Sequence, residues 1–211
     1  MTANTLYRLT HLSLAITLIL TLITAIIALA LPFFDEHLLS QWQIELANSA
    51  GPNEAELTAN EWWIVKNQGM LTMQTSGVGL AISRAVTILL VGGLISYALY
   101  GLRGFFAGLR SERPFQASTP ALLKKVGYSF IALAIVLYLE VPARFYLFIP
   151  DAADIADYYG THIKVSPPAA EAFFIIPTLH WGLIVAGIFL LAIARAFALG
   201  LSLQTENDEI I

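Results

Sequence analysis

Four stretches of this chain are each long and apolar enough to cross a lipid bilayer, and this limits the fold more than any motif does. They run over residues 9–34, 78–102, 122–149 and 173–201. A helix rises about 1.5 Å per residue, so about 20 apolar residues span the hydrocarbon layer. The composition agrees, because 57% of the residues are hydrophobic and only 12% are charged, far below the charge of a soluble domain. We therefore predict an all-α integral membrane bundle of four transmembrane helices with a short extracytoplasmic cap.

The basic residues are distributed unevenly between the two sides of such a bundle. Four spans place both termini on one side, together with six basic residues beside span ends: Arg8, Arg103, Arg110, Arg113, Lys124 and Lys125. The opposite side has Lys66 and Lys164 and most of the acidic residues. Because Lys and Arg near span ends favour the cytoplasmic side, we expect both termini to be cytoplasmic in a bacterial inner membrane.

The first span shares features with a cleavable secretion signal. Arg8 precedes its apolar run, and Ala28-Leu29-Ala30 has the small-x-small pattern of a cleavage site. The apolar core of a signal is usually about 7–15 residues, whereas this run is about 25. We therefore expect a retained transmembrane helix.

The longest loop, residues 35–77, forms the predicted outer cap. Its first part has apolar residues at helical spacing, namely Leu38, Leu39, Trp42 and Leu46. This spacing predicts a short amphipathic helix on the outer surface, with Trp42 at headgroup depth. Residues 48–60 are turn-like and acidic, and residues 62–65 (Trp-Trp-Ile-Val) predict a short strand or an interfacial anchor. The loop is interpreted as a cover for the bundle or, alternatively, as a surface that binds a partner.

The loop between the second and third spans carries helix-ending and helix-starting signals. Gly101, Gly104 and Gly108 have the small-residue spacing that lets helices approach closely. Ser118-Thr119-Pro120 provides an N-cap candidate and a proline suited to a first helical turn, so the third helix should begin near Pro120.

Ionisable residues within the spans are the candidates for chemistry, because their burial in the membrane is costly. Arg195 lies apart, but four others share a depth in the outer half of the bundle: Arg84, Glu140, Arg144 and His180. Glu140 and Arg144 are four residues apart, so they share a helix face and can pair.

Two interpretations of this cluster stay open. It can join helices through polar contacts, or it can bind an anionic ligand or respond to protons through Glu140 and His180. Pro142 and Pro177 would interrupt helices near this depth, a feature typical of transporters.

Haem and metal chemistry find little support in the sequence. The four histidines are His11, His37, His162 and His180, and only His180 lies within a predicted span. A bis-histidine haem site would therefore need a second chain. The chain has no cysteine, which removes thiolate ligands and nucleophiles. We expect no cofactor, no metal site, no catalytic residues and no direct nucleic-acid binding.

The C-terminal residues 202–211 form a predicted cytoplasmic tail whose acidic part is a candidate partner-binding segment: Glu206, Asn207, Asp208 and Glu209. This ending, followed by Ile210-Ile211, resembles the terminus of a bacterial four-span membrane family known as domain of unknown function 2975. Pro114-Phe115-Gln116-Ala117-Ser118 and Leu123-Lys124-Lys125-Val126-Gly127 also match the outline of that family. The outer loop and the Glu140/Arg144 pair are not part of the resemblance.

Members of this family resemble proteins that partner a small helix-turn-helix regulator. The resemblance therefore implies that the chain signals to such a regulator or sequesters it. Taken together, the sequence predicts a non-enzymatic membrane protein that senses or scaffolds and tethers a cytoplasmic regulator. The alternatives are a small transporter or an accessory subunit bound to other membrane subunits, both using the outer polar cluster, and a haem-binding redox subunit.

Overall fold

The computed structural model describes residues 2–34, 38–46, 68–75, 78–111, 117–148, 155–159, 162–166 and 172–210. By contact, the chain divides into two compact units. The first contains Met1–Leu29, Ile82–Tyr138 and Leu179–Ile211, and the second contains Ala30–Ala81 and Leu139–Thr178. The first unit is helical, whereas the second contains a β-sheet.

Four long helices account for most of the described residues. They are α1 (Ala3–Ala30, followed by a 3-10 turn at Leu31–Phe34), α2 (Val78–Arg110), α3 (Thr119–Phe148) and α4 (Trp181–Ile210). All four are long and apolar enough to cross a membrane, which confirms the prediction of four such helices. Their apolar side chains are widely exposed, for example Leu22 at 58% and Phe189 at 65%. Exposure of this extent is typical of surfaces that meet lipid or other proteins.

Small residues mark where helices of the first unit approach each other. A Cβ atom on Gly187 of α4 would lie 2.8 Å from the carbonyl oxygen of Gly127 on α3, and one on Gly104 would lie 3.0 Å from Leu122. Gly101 likewise faces Leu122 and Val126. Packing without side chains at these positions brings the backbones together, as small residues do in helix pairs of membrane proteins. Close packing is therefore present at Gly104, one of the two glycines of the Gly104/Gly108 motif, and at Gly101.

The second unit contains a five-stranded antiparallel sheet that the all-α prediction did not include. Its strands are β1 (Leu38–Leu46), β2 (Gln68–Thr75), β3 (Ala156–Tyr159), β4 (His162–Val165) and β5 (Phe173–Ile175). The spatial order is β2-β1-β5-β4-β3. Strand β1 pairs with β2 from the same loop, and it also pairs with β5 from the loop between α3 and α4. The two loops thus form one sheet.

The amphipathic helix predicted from Leu38, Leu39, Trp42 and Leu46 is wrong, because this segment is strand β1. Its burial alternates: Trp42 is buried and Ile44 partly buried, whereas Gln41, Gln43 and Glu45 are exposed. This period of two fits a strand with one face on a core. The predictions for residues 48–60 and 62–65 lie outside the described residues.

The limits of the fourth span also differ from the prediction. Residues 173–175 form β5, and α4 begins only at Trp181. Pro177 precedes the helix instead of interrupting it, because proline has no N–H to donate within a helix interior. At the other end, α4 continues past residue 201 to Ile210, so the predicted tail is largely helical. The third helix begins at Thr119, as Ser118-Thr119-Pro120 indicated.

Candidate functional site

The ion pair between Glu140 and Arg144 lies in the last turns of α3. The Nε atom of Arg144 is 2.8 Å from Oε1 of Glu140, and the two side chains are 18% and 25% exposed. Their spacing of four residues places them one helical turn apart on one face. The predicted pairing of these two residues is therefore present.

Arg144 also contacts the sheet of the same unit. Its guanidinium carbon lies 5.0 Å from the centre of the Trp42 ring on β1, within the range of a cation–π interaction. The Trp42 ring in turn packs edge-on against Phe145, with the ring centres 6.1 Å apart. Arg144 therefore connects the end of α3 to strand β1.

A small apolar core lies beneath this contact. It consists of five buried side chains from α3 and three strands: Trp42, Phe145, Ile163, Val165 and Ile175. Phe145, Ile163 and Ile175 have no exposed surface. We call Glu140, Arg144 and Trp42 the α3–β1 clamp. In the clamp, Arg144 forms an ion pair with Glu140, and Trp42 is itself part of this core.

The other two members of the predicted cluster, Arg84 and His180, belong to the first unit. Both are exposed. His180 is not inside a span: it precedes α4, and its carbonyl oxygen accepts hydrogen bonds from the N–H groups of Leu183 and Ile184. Its placement within the fourth span was wrong, since residues 173–175 pair in the sheet as β5 and α4 begins only at Trp181. The proximity of Arg84 and His180 to the clamp stays a prediction.

The acidic C-terminal segment lies at the end of α4. The helix contains Glu206, Asn207, Asp208 and Glu209, and Glu206 is exposed. Just before it, the hydroxyls of Ser202 and Thr205 donate to carbonyl oxygens of the preceding turn, at 2.8 and 3.0 Å. We call residues 201–210 the C-terminal arm.

The sequence reasoning missed a basic and aromatic cluster in the first unit. The Nη2 and Nε atoms of Arg103 donate to the Tyr7 hydroxyl at 3.1 and 3.4 Å. The guanidinium of Arg110 lies 5.8 Å from the Tyr7 ring. Lys125 lies 5.7 and 6.0 Å from the rings of Tyr97 and Tyr100. Tyr97, Tyr100 and Arg103 are three residues apart and therefore share one helix face. This spacing could have indicated the basic and aromatic cluster.

A groove lies between α1 and α2, with a volume of about 350 Å³. Thr17, Thr21 and Thr24 line its α1 side, and Thr87 lies on the α2 side. The hydroxyls of Thr24 and Thr87 donate to carbonyl oxygens four residues earlier in their own helices. These two hydroxyls are therefore engaged in hydrogen bonds within their own helices.

The histidines and acids of the described ranges do not assemble into a metal site: within those ranges no group of three such residues could hold an ion. His11 stacks on Tyr7 with ring centres 6.5 Å apart, and His162 meets Phe174 edge-on at 6.4 Å. His37 lies outside the described residues.

No family model, curated protein or solved structure matches this chain. The resemblance to domain of unknown function 2975 therefore stays a prediction.

Proposed function

We propose that this chain is a non-enzymatic, multi-pass protein of the bacterial inner membrane that serves as a scaffold or sensor and tethers a cytoplasmic regulator. The observation that carries the proposal is the length of α4, a continuous helix of 30 residues. Such a helix is about 45 Å long, whereas the hydrocarbon layer is about 30 Å thick. About ten residues therefore extend beyond the layer as a helical arm.

The charge of the C-terminal arm indicates the kind of partner. Its last turns hold three carboxylates, on Glu206, Asp208 and Glu209, and no basic residue lies in the last turn. The C-terminus of a helix already carries a partial negative charge, so acidic residues there are unfavourable in isolation. A basic surface would relieve this repulsion. Soluble DNA-binding regulators offer such a surface, in agreement with the partner that the family resemblance implies.

The positive-inside bias supports a cytoplasmic position for the arm. The basic residues lie next to the ends of α2 and α3 that are on the same side as both termini: Arg103, Arg110, Arg113, Lys124 and Lys125. In a four-span topology, the loops that form the sheet would both lie on the opposite, extracytoplasmic side. The sheet would then be the part that meets external partners or signals.

The α3–β1 clamp favours a structural function for the intramembrane ion pair over a transport function. Glu140 is paired with Arg144, and Arg144 packs against Trp42. A pair held in this way joins a helix to a sheet and does not leave a carboxylate ready for a transported ion. The small transporter stays the alternative that depends on Arg84, Glu140, Arg144 and His180 acting together.

Quantitative mass spectrometry of proteins that co-purify from native membranes in mild detergent tests the tether. The variant Glu206→Gln/Asp208→Asn/Glu209→Gln removes the three charges at nearly constant shape. Ser202→Ala/Gln204→Ala is the matched control, because it changes exposed positions of the same arm and keeps the acids. We expect a soluble basic protein with the wild type and the control, and its loss with the neutralised variant.

Two results would contradict the proposal. A soluble partner retained equally by the wild type and the neutralised variant would show that the acidic arm does not bind it. Recovery of membrane subunits alone, unaffected by the substitutions, would identify the chain as an accessory subunit instead.

A further inference from the structure

We infer that the cluster of Tyr7, Tyr100 and Arg103 is a binding site for a phosphate group. These residues line a cavity of about 280 Å³ in the first unit, together with Gly104, Ala107 and Leu122. The volume is slightly below the lower end of ligand pockets, about 300 Å³. It therefore suits a compact group and not a large organic ligand.

Arg103 supplies the charge of the cavity. Its guanidinium is positioned by the two contacts to the Tyr7 hydroxyl, which accepts both hydrogen bonds. Within the described ranges no carboxylate pairs with Arg103. A guanidinium has five N–H donors in a planar fork that matches phosphate oxygens, so donors remain for an anion.

The surrounding groups add to the positive potential and shape the site. Arg110 lies over the Tyr7 ring, and Lys125 lies close to both Tyr97 and Tyr100. The rings hold these cations by cation–π contact without neutralising them. The tyrosine hydroxyls can donate to the same anion. Arg103 thus lines the cavity itself, and Arg110 and Lys125 lie beside tyrosine rings, two of which line it.

The position of the site along the helices indicates where the phosphate comes from. Arg103 directly follows the apolar stretch of α2, and Lys125 lies in the second turn of α3. Cations at the ends of spans meet lipid headgroups. The phosphate of an anionic phospholipid can reach this depth from the bilayer, and a soluble phosphate can reach it from the aqueous side. The shared chemistry is a phosphate anion held by Arg103.

Native mass spectrometry of the purified full chain, titrated with phosphatidylglycerol, tests the site. Arg103→Gln removes the cation, and Lys124→Gln is the matched control, because Lys124 is exposed at the same end but does not line the cavity. We expect Arg103→Gln to weaken lipid binding about tenfold, as for the loss of one charge-assisted hydrogen bond, and Lys124→Gln to weaken it much less.

Ala107→Phe provides a test that leaves every charge in place. Ala107 is exposed at the cavity wall, so a phenyl ring there should fill the space without disturbing the core. Reduced binding by both Ala107→Phe and Arg103→Gln, with size-exclusion profiles like the wild type, would support the site. Equal binding by Ala107→Phe and the wild type would overturn it, and so would equal weakening by Arg103→Gln and Lys124→Gln.

Inorganic phosphate distinguishes the two sources. If millimolar inorganic phosphate raises the melting temperature of the wild type, but not of Arg103→Gln, and displaces the lipid, then the site serves a soluble phosphate. If it does neither while phosphatidylglycerol binds through Arg103, the site serves a lipid headgroup. Failure of both probes to bind the wild type would overturn the inference. None of these results depends on the C-terminal arm, so the tether is tested separately.

Discussion

Arg144 makes two kinds of contact that belong to different parts of the same unit. It pairs with Glu140 one turn away on α3, and it lies over the ring of Trp42 on β1. The first contact is local to the helix and partly exposed, so it should contribute about 0.5 kcal/mol. The second joins the helix to the sheet, and cation–π contacts contribute about 0.5–2 kcal/mol. The contact with Trp42 should therefore dominate.

Substitutions of the two charged residues should separate these contributions. We predict that Glu140→Gln lowers the free energy of unfolding by about 0.5 kcal/mol, whereas Arg144→Gln lowers it by about 1–2 kcal/mol. Arg144→Lys should lie between them, because it keeps the charge and loses the planar face. Denaturant titration of the purified protein in one detergent measures all three. Equal losses for Glu140→Gln and Arg144→Gln would show that the ion pair alone carries the stabilisation.

The helices α3 and α4 depend on the absence of a side chain at Gly187. A Cβ atom there would lie 2.7 Å from Cγ1 of Ile131 and 2.8 Å from the Gly127 carbonyl oxygen. Backbone cannot easily move aside, so Gly187→Ala should force the helices apart at a cost of about 1–3 kcal/mol. The measurement is the melting temperature of the detergent-purified variant.

Gly182 provides the control for Gly187→Ala on the same helix. No atom lies within 4 Å of a Cβ atom built at Gly182. Gly182→Ala should therefore be neutral or stabilise by up to about 1 kcal/mol, because alanine favours the helix more than glycine does. A Gly187→Ala variant as stable as Gly182→Ala would show that α3 and α4 do not pack closely at Gly187.

The sheet can be tested through its longest-range strand pair. Glu45 of β1 lies opposite Phe174 of β5, although the two residues belong to different loops. The natural chain has no cysteine, so Glu45→Cys/Phe174→Cys introduces the only two thiols. We expect this pair to form a disulfide on mild oxidation, because directly opposed Cβ atoms are about 4.5–5.5 Å apart. The disulfide is detected on non-reducing gels. After proteolytic cleavage between the two thiols, a disulfide-bonded chain keeps its fragments together and changes its mobility.

The register control is Glu45→Cys/Ile175→Cys. A shift of one residue moves a side chain to the other face of the sheet, so this pair should form little disulfide. Efficient crosslinking of both pairs would contradict the register, and absence of crosslinking in both would contradict the pairing of the two loops.

The helices could be predicted from the sequence, whereas the sheet could not, for a physical reason. A span is specified by the apolar character of about 20 consecutive residues, and residues 78–102 carry that information locally. A strand depends on a partner: Ile44 pairs with Ile175, from a loop that follows two further helices. The alternation of Gln41, Trp42 and Gln43 was present in the sequence, but Leu38, Leu39 and Trp42 also fit a helical spacing.

The candidate site could be predicted only in part for the same reason. Glu140 and Arg144 are four residues apart on one helix, so their pairing followed from helix geometry. The contact of Arg144 with Trp42 joins distant segments and had no local signal. The contact of Tyr7 on α1 with Arg103 on α2 also joins distant segments and had no local signal. His180 was misplaced because the apolar residues 173–175, which were assigned to the span, pair instead with a distant strand as β5.

The proposed function assigns the sheet and the C-terminal arm to opposite sides of a membrane. The sheet is built from strands that follow α1 and strands that follow α3, and the arm is the end of α4. A scaffold that tethers a cytoplasmic regulator requires the arm to be cytoplasmic, and the positive-inside bias predicts this. Sidedness is therefore the property on which the proposed function depends.

The most direct test is the labelling of single cysteines by a membrane-impermeant maleimide in intact spheroplasts. Glu45→Cys reports on the sheet and Gln204→Cys on the arm, and both positions are exposed in a chain that otherwise has no thiol. We predict that Glu45→Cys is labelled at once and that Gln204→Cys is labelled only after the membrane is permeabilised. Labelling of Gln204→Cys in intact spheroplasts would place the arm outside the cytoplasm and contradict the proposed tether.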